Sequence, residues 1–156
     1  MTELGFDVFR GSENDVLDRY YQAAKHYNSK VILRITGDCP LIDPNTIETL
    51  INYYNSNSFE YCSVACGAGV AGKGVNKRYP DGLDTEIFSF EVLQTAFEQA
   101  KTEFDKEHVT KYILRTNIFK KFNYNRKGQN FSDLRITLDT NDDLNLIKKI
   151  FYNFNN

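Results

Sequence analysis

Apolar residues recur along the chain at two spacings, one suited to helices and one to strands. Val16, Leu17, Tyr20, Tyr21 and Ala24 fall three and four apart, as one buried helix face requires. Ser12-Glu13-Asn14-Asp15 supplies the start, since the Ser12 hydroxyl and the Asp15 carboxylate can each take a free backbone N–H. Ile47, Leu50, Ile51 and Tyr54 repeat the helical spacing behind Asp43-Pro44, an N-cap followed by a residue that needs no N–H there. Phe90, Leu93 and Phe97 mark a third helix. A fourth is expected to begin near Asp105 and run through Val109, Tyr112 and Ile113. Leu144, Ile147, Phe151 and Phe154 make the last, behind a second capping box in Thr140-Asn141-Asp142-Asp143. Between the helices lie shorter runs. Asp7 to Phe9 reads as a strand ending at Gly11, and Thr85 to Phe88 and Leu134 to Leu138 read as two more. Val31-Ile32-Leu33-Arg34-Ile35 is mostly apolar, which predicts a strand covered on both faces. The alternation predicts an α/β chain with a largely parallel sheet, in one domain over 1–156 with no internal repeat.

Composition narrows the picture. At 156 residues the chain can bury a core, and 41% hydrophobic with 26% charged residues is ordinary for a globular protein. The formal net charge of -2, with signs interspersed, argues against a nucleic-acid surface. No apolar run approaches the roughly 20 residues that span a bilayer, so no membrane partner is expected. Met1 to Arg10 holds Glu3 and Asp7 and lacks the basic start and apolar stretch of a signal peptide, which suggests a cytoplasmic setting. Cys62-x-x-x-Cys66 has no second ligand pair at zinc spacing, so it and Cys39 read as free thiols. Gly67, Gly69, Gly72 and Gly74, with Lys73 and Lys77, predict a mobile surface loop. It lacks the G-x-x-x-x-G-K-S/T pattern of a phosphate cradle.

Two carboxylates stand where chemistry is expected in such folds, beyond the carboxyl ends of strands. Asp38 follows Val31 to Ile35 in Thr36-Gly37-Asp38-Cys39-Pro40-Leu41, and Asp139 follows Leu134 to Leu138. A pair of this kind suits Mg²⁺, which takes one or two carboxylates and completes its shell with phosphate oxygens and water. Plainer roles stand beside that one: Asp38 can cap the turn before Pro40, and Asp139 can help start the last helix.

A family resemblance sharpens the choice. Val8-Phe9-Arg10-Gly11-Ser12-Glu13-Asn14-Asp15-Val16-Leu17-Asp18-Arg19 and Arg34-Ile35-Thr36-Gly37-Asp38-Cys39-Pro40-Leu41-Ile42-Asp43 resemble the acylneuraminate cytidylyltransferase family. Tyr79-Pro80-Asp81-Gly82-Leu83-Asp84-Thr85-Glu86-Ile87-Phe88, Glu107-His108-Val109-Thr110 and Leu138-Asp139-Thr140 continue in the same order, most similar to the branch of spore coat polysaccharide biosynthesis proteins. The resemblance implies a nucleotide-diphospho-sugar transferase (Rossmann-like) fold with a mixed sheet. It implies transfer of CMP from CTP to an acidic sugar, of the sialic-acid or KDO kind, with Mg²⁺ as cofactor. By position, Asp38 and Asp139 would hold the metal and Arg19 would face the nucleotide; a helix-turn ion pair with Asp15 is the plainer role for Arg19. Asp84 and Glu86 would wall the sugar pocket on a shared strand face, and His108 would approach it.

The family's phosphate-holding pattern, A-R-x-x-S-x-R-x-P-x-K, occurs nowhere in the 156 residues. The chain is therefore expected to correspond to the C-terminal two-thirds of the family fold, lacking its first strands. It is expected to work as a homo-oligomer or with a separate N-terminal segment, and to transfer no CMP alone. Two rivals remain: a glycosyltransferase of the same fold, against which the absence of Asp-x-Asp counts, and a non-catalytic binding remnant.

Overall fold

The computed structural model describes residues 4–64, 78–124 and 128–154, so Cys66 and the glycine-rich loop lie outside the described residues. The order is α1 Val16–His26, β1 Val31–Ile35, α2 Pro44–Ser56, β2 Tyr61–Val64, β3 Thr85–Ser89, α3 Phe90–Gln99, α4 Glu103–His108, α5 Lys111–Arg115, β4 Lys121–Asn123 and α6 Asn141–Phe154. The strands form one sheet in the order β1-β3-β2-β4. Strands β2 and β4 run parallel, Tyr61 opposite Lys121 and Ser63 opposite Asn123. The α/β class expected from the sequence is the class observed. The chain divides into two compact units, one of residues 1–32 and 88–119 and one of residues 33–87 and 120–156.

The first unit is built on α1. Ser12 Oγ accepts the Asp15 N–H at 2.9 Å and the Asp15 carboxylate accepts the Asp18 N–H at 2.9 Å, so each side chain takes a backbone N–H as expected, but Asp15 rather than Ser12 is the N-cap. Leu17 and Ala24 are buried on this helix, and Tyr21 stacks on Phe97 with ring centroids 4.2 Å apart. Ser89 caps α3, whose Val92, Leu93 and Ala96 are buried. The expected helix from Asp105 to Ile113 is instead two short ones. Val109 sits at φ 57 between α4 and α5, a conformation that β-branched residues rarely adopt. Its side chain is wholly buried. Thr102 caps α4, and the buried Asp105 carboxylate bonds Thr102 and pairs with Arg115. No strand forms at 7–9: Phe6 and Val8 are exposed and the backbone there is irregular.

The second unit holds a core of Leu50, Cys62, Val64, Tyr79 and Ile87. Tyr53 and Phe122 stack over one side of it, centroids 4.7 Å apart. Asp43 caps α2 as predicted, accepting the N–H groups of Asn45 and Thr46. Strands β2 and β4 went unread in the sequence because both are too short to show a period.

Strand β1 departs from expectation. Val31, Leu33 and Ile35 are 46%, 36% and 37% exposed, so one of its faces is open and apolar. Among the described residues it stands at the end of the sheet order, where a strand has one neighbour rather than two. The segment Leu134 to Leu138 is not a strand either. It makes one isolated bridge, Asp81 with Arg135, and spends its other backbone bonds on loops.

Candidate active site

The second unit brings three segments together through their backbones. Asp81 N–H donates to Leu134 C=O at 3.0 Å, and Ile136 N–H donates to Asp81 C=O at 2.8 Å. Leu138 N–H donates to Asp38 C=O at 2.8 Å, which lays the loop after β1 beside the residue preceding Asp139. Gly82 permits the approach. It has φ +107, and a Cβ there would stand 2.8 Å from the Ile136 carbonyl carbon. Asp84 closes the same turn, its Oδ2 accepting the Gly82 N–H at 3.2 Å.

The charged side chains on these segments are mostly acidic and feel one another. Burial pushes the Asp81 carboxyl above the usual carboxylate range, reinforced by the charge of Asp84 and a hydrogen bond to it. Arg135 opposes that rise, while Asp139 adds to it. Cys39 is 4% exposed and its thiol is pushed up, first by burial and then by the charges of Asp38 and Asp84. Asp38, Asp84 and Asp139, three of the residues singled out in the sequence, thus share one neighbourhood with Asp81 and Arg135.

Asp139 is held with care. Its Oδ2 accepts from Arg135 Nη2 at 2.5 Å and from Thr137 Oγ1 at 3.0 Å. Arg135 is gripped from its other side by Asp143, at 2.6 Å to Oδ1 and 3.1 Å to Oδ2. Asp143 Oδ2 also accepts the N–H groups of Asp139 and Thr140, while Thr140 Oγ1 accepts the Asp143 N–H, which completes the capping box at α6. The Arg135 guanidinium and these N–H groups hold the Asp143 carboxyl far below the usual range.

Glu86 has a different station from the one expected. It is 1% exposed, paired with the Arg34 guanidinium, and accepts the Tyr61 hydroxyl at 2.5 Å. A carboxylate so enclosed is an internal anchor, not the wall of an open sugar cleft. Arg19 and His108 belong to the first unit. Arg19 donates to the Ser12 carbonyl at 3.1 Å, a bond that ties the helix to its own entry rather than to Asp15. His108 packs its ring against Phe104 at 4.4 Å. A recess of about 350 Å³ opens between Thr46, Tyr79, Leu83, Phe131 and Leu134, and neither Asp38, Asp84 nor Asp139 lines it.

No local pattern marks Asp81, Arg135, Thr137 or Asp143 as a site residue. Asp81 and Asp143 stood inside quoted motifs, and Asp143 was credited only with capping. Arg135 carried no signal, because its partners are four and eight residues on in a segment without regular period.

Among the described residues no group of three or more His, Cys, Asp and Glu side chains is disposed to enclose a metal. Two carboxylates with hard oxygen donors still fit Mg²⁺, which needs few protein ligands when phosphates supply the rest. Asp139 Oδ1 accepts no hydrogen bond from a described residue, and its side chain is 52% exposed.

This layout, an α/β chain with Asp38 beyond β1 and Asp139 at the entry to α6 on adjoining segments, suits a phosphate-handling enzyme class. The chain belongs to the cytidylyltransferase family, whose model matches residues 2–154. An uncharacterized protein of Methanocaldococcus jannaschii is 39% identical over 97% of this chain. The spore coat polysaccharide biosynthesis protein SpsF of Bacillus subtilis is 29% identical over 94% of it. The chain spans 58% of the length of each. The solved structure of a cytidylyltransferase from Leptospira borgpetersenii serovar Hardjo-bovis superposes with TM-score 0.86 at 32% identity, covering 97% of this chain and 60% of that one. No described helix is long and apolar enough to cross a membrane.

Proposed function

We propose that the chain carries the acidic half of a nucleotidyltransferase site that passes CMP from CTP to a sugar hydroxyl and releases pyrophosphate. The observation that carries this reading is the Leu138–Asp38 backbone bond, which sets Asp38 and Asp139 on adjoining segments in a member of the cytidylyltransferase family. Mg²⁺, when bound, would offset the charge that develops on the phosphate oxygens during in-line attack. Asp38 and Asp139 would hold it. Arg135 and Thr137 keep Asp139 fixed, so little reorganisation is left for the moment of reaction. Asp81 and Asp84, whose carboxyl groups adjoin, offer oxygens suited to binding sugar hydroxyls. The family resemblance implies a role towards nucleotide for Arg19 and towards sugar for His108.

The acceptor is an acidic sugar on family resemblance, and the relation to SpsF supports a role in surface polysaccharide synthesis. The test is pyrophosphate release from CTP with panels of acidic and neutral sugars, by this chain with and without an added segment bearing the A-R-x-x-S-x-R-x-P-x-K pattern. Release is expected only with the segment and an acidic sugar, and is expected to vanish in Asp38→Asn and Asp139→Asn. Release that survives both substitutions would overturn the assignment of these carboxylates. Turnover of a nucleotide-sugar donor instead of CTP would make the protein a glycosyltransferase.

A further inference from the structure

The two oxygens of Asp139 are not equivalent. Oδ2 takes both hydrogen bonds, from Arg135 Nη2 at 2.5 Å and Thr137 Oγ1 at 3.0 Å. Oδ1 takes none from a described residue. The donors are themselves immobilised. Thr137 is 7% exposed, and Arg135 is forked onto Asp143, which is in turn fixed by the backbone N–H groups of Asp139 and Thr140. Turning the carboxylate to offer both oxygens to one ion would break two bonds whose donors cannot follow.

We infer that Arg135 and Thr137 are positioning residues that restrict Asp139 to a single-oxygen ligand, and that this sets the preference of the site for Mg²⁺ over Ca²⁺. The inference rests on the metal reading of Asp139 given above. Mg²⁺ is small and demands near-octahedral single-oxygen contacts, whereas Ca²⁺ takes six to eight oxygens and readily accepts a carboxylate two-handed. The charge of Arg135 does not cancel the site. Asp143 already neutralises it, and Asp139 remains as the negative charge in excess.

The experiment is a Mn²⁺ titration of the full chain followed by electron paramagnetic resonance, with Mg²⁺ and Ca²⁺ as competitors and no nucleotide present. Wild type is expected to release Mn²⁺ at lower Mg²⁺ than Ca²⁺ concentration. In Arg135→Gln/Thr137→Val, with both oxygens freed, the ratio of the two competition constants should move about tenfold or more towards Ca²⁺, the direction set by their coordination habits. Thr137→Val alone removes one bond without disturbing Arg135, and should move the ratio part of the way even if the double variant folds poorly. Arg135→Lys, which keeps the charge but not the fork, should lie between the double variant and wild type. Mn²⁺ that binds with an unchanged ratio in every variant would overturn the inference and leave the metal reading intact. Mn²⁺ that binds Asp139→Asn as tightly as wild type would overturn the metal reading itself and the inference with it.

Discussion

Replacing Arg34 by Met tests the internal anchor most directly. The substitution keeps the apolar stem and removes the guanidinium from a Glu86 that is 1% exposed and still accepts the Tyr61 hydroxyl. Breaking one side of a buried ion pair costs about 3–5 kcal/mol, because the surviving charge has lost its solvent without regaining a partner. Tyr61→Phe removes one charge-assisted hydrogen bond and should cost about 1.5–3 kcal/mol. Replacing both members, in Arg34→Met/Glu86→Leu, should return to within about 1–2 kcal/mol of wild type, since an apolar pair of like volume needs no neutralisation. The cycle therefore carries a coupling of at least about 2 kcal/mol. Urea unfolding followed by circular dichroism reads these values as midpoint shifts at constant slope. The thermal midpoint of Arg34→Met should fall on the order of 10 °C. A cost under about 1 kcal/mol for Arg34→Met, or a double variant no better than the single, would refute the reasoning.

Further outcomes can be checked separately. Burial raises the Asp105 carboxyl, but the hydrogen bonds of Arg115 and Thr102 outweigh it and hold the group below its usual value. Its contribution is thus present above about pH 4 and lost as acid approaches the native-state value, so the stability gap between wild type and Asp105→Asn should narrow between pH 6 and pH 3. Gly82→Ala places a Cβ 2.8 Å from backbone at a left-handed φ, and should cost roughly 1–3 kcal/mol while weakening Mn²⁺ binding at the neighbouring carboxylates. Cys62 is wholly buried with its thiol pushed up to about 11, so iodoacetamide should leave it unlabelled in the native protein and label it in urea, as peptide mass spectrometry would show.

What the sequence disclosed follows a physical line. Helices α1, α2, α3 and α6 announced themselves because caps and apolar spacing are local, and Ser12, Asp43 and Thr140 make the bonds their positions suggested. Val109 split a predicted helix because its φ is set by tertiary packing, which spacing does not encode. Leu134 to Leu138 carried a strand-like pattern, yet its partners are the turns at Asp81 and Asp38. Apolar runs point to Asp38 and Asp139 and family motifs to Asp84, and the structure sets the three on adjoining segments. Glu86 shared a motif with Asp84 and was misjudged, since nothing local distinguishes a carboxylate facing solvent from one facing Arg34. Arg135 was invisible for the same reason.

The inverted polarity of β1 bears on how that strand finds its place. Its apolar Val31, Leu33 and Ile35 look outward, while the charged Arg34 is half-buried and reaches Glu86 on β3. A slip of one residue against β3 would turn the three apolar side chains inward and the arginine out, the arrangement that hydrophobicity alone would choose. The ion pair between Arg34 and Glu86 is what such a slip would forfeit, leaving a buried carboxylate without its cation. Polar pairing therefore selects the alignment of this edge against the pull of its own apolar residues. Variants lacking the pair should be recognisable by a population of misaligned sheet as well as by lower stability.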